Sequence, residues 1–143
     1  MGRVYEETGG GVSAKPLGAA VIEVRRSRFY AHLYRIEEPG DIAQVLAGHH
    51  EAYRKAAHHC AAWRCGTVEE FRSDGEVGRP GRVLLDLLRR HALESHALVV
   101  SRIFGGVLLG PGNVGRAFRD AGEAAIREAG LTRASCSALR QES

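Results

Sequence analysis

The sequence predicts an α+β fold, a mainly antiparallel sheet with helices on one face. Three observations point to it. Short β-branched or alternating stretches occur in adjacent pairs, three segments carry helical spacing, and one nearly continuous apolar run suits a buried central strand. The order along the chain is strand, strand, helix, strand, strand, helix, strand, helix. Neither an internal repeat nor a break in composition marks a second domain. The expected layout is a flexible lead over 1–12, one domain over 13–132 and a frayed tail over 133–143.

Each element has its own justification. Ala19 to Val24 is apolar and β-branched and ends at Arg25-Arg26, and from Phe29 to Ile36 alternate residues fall on opposite faces, so a tight turn joins two strands. Pro39-Gly40-Asp41 signals entry into a helix, read from Ile42 to Ala56 because Ile42, Val45, Leu46, Tyr53 and Ala57 share one face. His58 to Cys65 and Thr67 to Arg72 suit two further strands turned at Gly66. Ser73 to Gly81 is a loop dense in glycine and charge. Val83, Leu84, Leu87, Leu88 and His91 give a short amphipathic helix, and Ala97 to Ile103 is the central strand. A second glycine-rich loop, Phe104 to Gly115, leads to a last helix read from Arg116 to Ala129.

Composition limits function. The chain of 143 residues is 44% hydrophobic and 26% charged, which suits a folded domain, and no apolar run approaches the roughly 18–20 residues a membrane helix needs. The first residues resemble neither a secretory signal nor a transit peptide, so the expected location is cytoplasmic. Cys60, Cys65 and Cys136 contain no C-x-x-C pair and are expected as reduced thiols. The net charge is +3, and 18 of the 20 basic residues are Arg, the side chain suited to bidentate phosphate or carboxylate contact.

Three constellations could carry chemistry. Gly110-Pro111-Gly112-Asn113-Val114-Gly115 matches G-x-G-x-x-G, but no later strand with an acidic residue completes a dinucleotide site. What remains is backbone N–H groups at a helix N-terminus flanked by Arg102 and Arg116, suited to an anion, or a turn made for backbone geometry alone. His49, His50, His58 and His59 with Cys60 and Cys65 invite a metal, yet adjacent histidines diverge on a helix or strand, and neither metal nor cofactor is expected. Ser73-Asp74-Gly75-Glu76 places two carboxylates two residues apart without an evident nucleophile; Asp74 is expected to cap the turn and Glu76 to pair with Arg79 or Arg82.

Four segments, in order, then carry a resemblance to the YigZ/IMPACT family domain. Arg26-Ser27-Arg28-Phe29 resembles its basic-Ser-Arg-Phe opening, and Ala56 to Trp63 resembles its Ala-Thr-His-Asn-Cys-aromatic-Ala-aromatic strand. Ser73 to Glu76 with Gly78 to Arg82 resembles its Asp-Gly-Glu loop, and Val99 to Gly112 with Arg116-Ala117-Phe118 resembles its longest motif. The match runs from Val21 to Ala129. One residue is absent from the Asp-Gly-Glu loop. Val77 stands where the family has Pro, Leu108 where it has Lys, Ala57 where it has Thr, Ile103 where it has Tyr and Asn113 where it has Gly, so the chain reads as a divergent single-domain member.

The resemblance implies a fold similar to the second domain of a small-subunit ribosomal protein and to domain IV of elongation factor G. It also implies a link to translation control, in eukaryotes through an amino-acid-starvation kinase pathway. Neither the RWD domain of eukaryotic members nor the ferredoxin-like domain of bacterial ones is expected here, and contacts made by those parts do not transfer. The leading expectation is a non-catalytic, translation-associated module contacting RNA, the ribosome or a regulatory protein. Arg102, Phe104, Gly105, Gly106, Gly110, Gly112, Arg116, Arg79 and Arg82 form the expected anion or RNA surface, and His58, Asp74, Gly75 and Glu76 the motif loop. Phe104 and Trp63 read either as exposed stacking partners or as core. The alternative is a small enzyme or sensor holding a phosphorylated or acidic molecule at the glycine loops, with Asp74 or Glu76 as base beside His58. A third reading is a protein-interaction module docking a partner on an exposed apolar patch.

Overall fold

A computed structural model describes residues 15–133. The expected lead, and all of the expected tail except Arg133, lie outside them. Eight elements follow in the predicted order: β1 (Gly18–Val24), β2 (Ser27–Arg35), α1 (Asp41–Ala52), β3 (His58–Cys65), β4 (Val68–Arg72), α2 (Pro80–Arg90), β5 (His96–Ile103) and α3 (Pro111–Glu128). The strands form one sheet, β1-β2-β5-β3-β4, with every neighbouring pair antiparallel. β5 is central, as its apolar run requires.

Strand alternation builds two cores, so the helices occupy both faces and not one. Phe29, Ala31, Leu33, Cys60, Ala62, Leu98 and Val100 face α2 and α3. Their neighbours Tyr34, Ala61, Trp63, Ala97 and Val99 point the other way and are covered by Ile42, Val45 and Leu46 of α1. β2, β3 and β5 are therefore apolar on both sides, a pattern that calls for a second covering layer. Trp63 belongs to this second core at 4% exposure, which removes it from any stacking surface.

Under α2 and α3 the packing is close. Phe29 and Phe118 meet edge to face with centroids 5.1 Å apart, and full burial of each such side chain contributes about 1.5–3 kcal/mol. Gly122 lies against Leu84, Leu87 and Leu98, where a β-carbon would collide, so α3 sits directly on its neighbours.

Two boundaries differ from the sequence reading. α1 stops at Ala52, ahead of the expected Ala56. α3 starts at Pro111, five residues before Arg116, because proline suits the first helical turn, where its missing N–H is no loss. Gly112 and Gly115 are thus helical residues with open space about them, and only Gly110, at φ +83°, makes the turn.

Candidate functional site

The motif residues meet at one end of the sheet, where the loop between β4 and α2 folds against the end of β5. Hydrogen bonds fix this loop to β3 on its first side. The Asp74 carboxylate accepts from the His59 backbone N–H at 2.7 Å, His58 Nδ1 lies 2.8 Å from the Asp74 carbonyl, and the Cys60 thiol donates to the Ser73 carbonyl at 3.2 Å. Asp74 therefore ties loop to strand and does not cap its own turn. Ser73 Oγ accepts from the Gly81 N–H at 3.1 Å, fixing the start of α2. Gly81 must be glycine, since a β-carbon would press on the Arg72 carbonyl.

Glu76 then reaches inward. Its partner is Arg102 of β5, not Arg79 or Arg82: Arg102 Nη1 donates to Glu76 Oε2 at 2.9 Å, and both side chains are more than nine-tenths buried. The alternation of β5 explains the choice, because Arg102 follows Leu98 and Val100 on the α2/α3 face and must bring a counter-charge into the core. Its guanidinium carbon lies 5.5 Å from the Phe29 ring centroid and 5.7 Å from that of Phe104, and Nη2 is 3.4 Å from Ser27 Oγ. The other Glu76 oxygen accepts from the Val77 N–H at 3.1 Å and lies 3.6 Å from His58 Nε2. Burial, with the Glu76 and Asp74 carboxylates nearby, pushes the Cys60 thiol far up and leaves it protonated at neutral pH.

Two concavities flank the first turn of α3. One, of about 290 Å³, has Glu76, Arg102 and His58 at its floor and Val77, Phe104 and Leu108 at its rim. The other, of about 390 Å³, is the groove between α2 and α3, where Arg90, Arg116 and Arg119 stand beside Gly112 and Asp86. Arg119 is 3.6 Å from Asp120, whereas Arg90 and Arg116 have no acidic partner within 4 Å among the described residues; Arg116 donates to Asn113 Oδ1. Arg79 is held at φ +51° beside Phe71, and exposed Arg82 pairs with Asp86 at 3.4 Å. Gly105 packs on the Arg26 backbone with no room for a β-carbon, while Gly106 is open.

The predicted anion residues are thus dispersed. Arg102 is closed into the core, Phe104 and Gly110 adjoin the first concavity, and Gly112 and Arg116 line the second. Sequence reasoning missed Arg90 and Arg119, for which helical spacing gave no signal distinct from a solvated face. It placed the tight turn at Arg25-Arg26 but gave these residues no role; both adopt positive φ at the tip of the β1–β2 hairpin and both are exposed. Their left-handed geometry costs roughly 1–2 kcal/mol per residue.

On the opposite face lies a second polar node. Ser101 Oγ lies 2.8 Å from both His49 Nδ1 and His59 Nδ1, and the Tyr34 hydroxyl is 3.0 Å from His49 Nε2. Burial holds His32 and His59 down at about 4 and His49 well below its ordinary range, so all three are neutral at pH 7. Among the described residues no three His, Cys, Asp or Glu side chains converge as a metal site.

Fold and site define a class: a five-stranded antiparallel α+β domain whose central strand carries a buried arginine closed by an Asp-Gly-Glu loop. The comparisons agree with that class. Residues 25–126 match the family described as the Impact N-terminal domain. The chain is 35% identical over 106 residues to an IMPACT family member from Thermus thermophilus, covering 74% of this chain and 58% of that protein. It is 30% identical to YvyE of Bacillus subtilis, covering 74% of this chain and 51% of that one. A crystal structure of a hypothetical protein superposes with a TM-score of 0.74 at 27% identity, over 78% of this chain and 57% of its own. The two-domain translational regulator Yih1 shares the fold with a TM-score of 0.53 at 22% identity, over 85% of this chain and 49% of its own. The chain belongs to the IMPACT family, and it spans between about half and three-fifths of the bacterial relatives it matches.

Proposed function

We propose that this domain is a non-catalytic module acting in the control of translation in the cytoplasm, and that it contacts RNA or ribosomal phosphates through the groove between α2 and α3. One observation carries the reading: Arg90, Arg116 and Arg119 surround that groove, and among the described residues only Arg119 has a carboxylate within 4 Å, that of Asp120. Arginine forks unmatched by carboxylates suit phosphate oxygens, and the adjoining first turn of α3 holds no acidic residue. Arg25, Arg26 and Arg79 are further exposed arginines. Arg102 acts as a positioning residue, fixing the Asp-Gly-Glu loop from inside. Yih1, which shares the fold, is a translational regulator, and this supports the proposed role in translation control.

Catalysis by the motif loop is disfavoured on chemical grounds. Glu76 is neutralised by Arg102, Asp74 is spent on a backbone N–H, and the Cys60 thiol is held protonated. The test is fluorescence anisotropy of labelled structured and single-stranded RNA across a salt series. Affinity that falls steeply with salt supports the reading, since neutralised phosphates release counterions. Absence of binding at low salt rejects it.

A further inference from the structure

The concavity above the Glu76–Arg102 pair has a buried donor at its floor with nothing to donate to. Arg102 Nε–H is shut off from solvent and meets no acceptor among the described residues, although Nη1 is spent on Glu76 and Nη2 lies 3.4 Å from Ser27 Oγ. We infer that this concavity receives a nucleobase, edge inward, with a base carbonyl accepting from Arg102 Nε–H and the neighbouring ring N–H donating to Glu76 Oε1. The proposal adds a base-reading site to the phosphate-binding reading, and rests on that reading for the RNA strand that brings the base.

The floor sets the polar edge of the occupant. A donor buried without an acceptor is costly, so an occupant that brings an acceptor gains from making that bond. Beside the donor stands an acceptor. Glu76 Oε2 is held by Arg102, while Oε1 takes the Val77 N–H at 3.1 Å and keeps a second lone pair. His58 Nε2 lies 3.6 Å from Oε1, beyond hydrogen-bond reach of that pair whichever way the ring is protonated. An anion is ill suited here, since the Arg102 charge is already matched by the Glu76 carboxylate. The occupant is therefore a neutral group with an acceptor next to a donor on one edge. A trans peptide group points its C=O and N–H opposite ways, whereas a nucleobase edge sets them side by side.

The rim suits a flat ring. Phe104, 46% exposed, offers a stacking face, and exposed Val77 and Leu108 cover the other side. The Phe104 ring stands 5.7 Å from the guanidinium carbon, so a change of its rotamer, common on binding, uncovers the Nε–H. Sites for drug-sized ligands begin near roughly 300 Å³, so about 290 Å³ holds one ring system and leaves sugar and phosphate outside. The first turn of α3 parts this concavity from the α2/α3 groove, with Gly110 on one side and Gly112 and Arg116 on the other. A strand leaving the bound base thus passes over that turn toward Arg116. Charge ranks the bases: a guanidinium favours a carbonyl oxygen, and a carboxylate favours the acidic lactam N–H of guanine, uracil or hypoxanthine over the amino N–H of adenine or cytosine.

The experiment compares inosine with adenosine, whose bases match in size and differ in this edge. Labelled adenosine heptamers with and without a central inosine are titrated by anisotropy into wild type, Phe104→Ala, Leu108→Ser and Arg116→Ala. Inosine and adenosine monophosphates are followed by amide shifts on the same proteins, and a ¹H–¹⁵N spectrum checks each fold. The inosine heptamer should bind about tenfold tighter to wild type. Phe104→Ala and Leu108→Ser should cut that ratio to about twofold or less, and Arg116→Ala should weaken both heptamers alike. Leu108, 82% exposed, carries the test if Phe104→Ala does not fold. Inosine monophosphate should shift the amides of Val77 and Gly110. Equal affinity of the two heptamers with a steep salt dependence overturns the base site and leaves the phosphate reading standing. Preference for inosine monophosphate without heptamer binding supports the base site, assigns it to free nucleotides and rejects the RNA reading. A ratio untouched by either rim variant overturns the proposal by placing the base elsewhere.

Discussion

Both faces of the sheet bury polar side chains, and they neutralise them by different means. Toward α2 and α3 the charges persist, Arg102 matched by Glu76. Toward α1 they are suppressed: His32, His49 and His59 stay uncharged around Ser101 and Tyr34. The difference teaches where ligands can be met. The motif arginine and glutamate pair with each other and hold the loop, while exposed arginines remain for partners.

The largest expected effect comes from unbalancing the ionised face. Arg102→Met leaves Glu76 buried and charged and should cost about 3–5 kcal/mol in urea unfolding. Adding Glu76→Gln should recover a substantial part. A single substitution costing under about 1 kcal/mol would mean that the pair is already hydrated.

Acid should break the neutral face next. The folded imidazoles titrate lower than the ordinary 6.5, so the unfolded chain takes up protons first. Their contribution is fully present above 6.5 and is lost as pH falls toward about 4, where the folded rings protonate as well. The cost is on the order of 3 kcal/mol for each of His32 and His59. Urea midpoints at pH 7.5, 5.5 and 4.5 measure it, and His59→Asn should flatten the slope. A midpoint independent of pH across this range would show the rings to be solvated. Ser101→Ala should cost less, about 1–3 kcal/mol, by removing the hydroxyl both Nδ1 atoms face.

The elements were legible in the sequence because period-two and helical spacing are local: β3 and the position of β5 follow from His58 to Cys65 and from the run at Ala97. The second covering layer was also written there, in strands apolar on both faces, with His49 continuing the stripe of Ile42, Val45 and Leu46 on α1. Reading His49 as a possible metal ligand hid that continuation. The Glu76–Arg102 pair was not legible, since it joins residues 26 apart whose meeting depends on how the loop folds over β5. The start of α3 was missed because two glycines outweighed Pro111 as a signal. The exposed arginines of the groove look like any solvated helix face until α2 and α3 are placed side by side.

The smallest effect in free energy tests the central claim most directly: the salt dependence of RNA binding by wild type, Arg90→Ala/Arg116→Ala and Leu108→Lys. If phosphates are met in the α2/α3 groove, the double variant should lower the slope of log affinity against log salt by about 1–2. Leu108→Lys, which only adds charge at the other concavity, should not lower it. An unchanged slope in the double variant would contradict the account and place the RNA elsewhere on the domain.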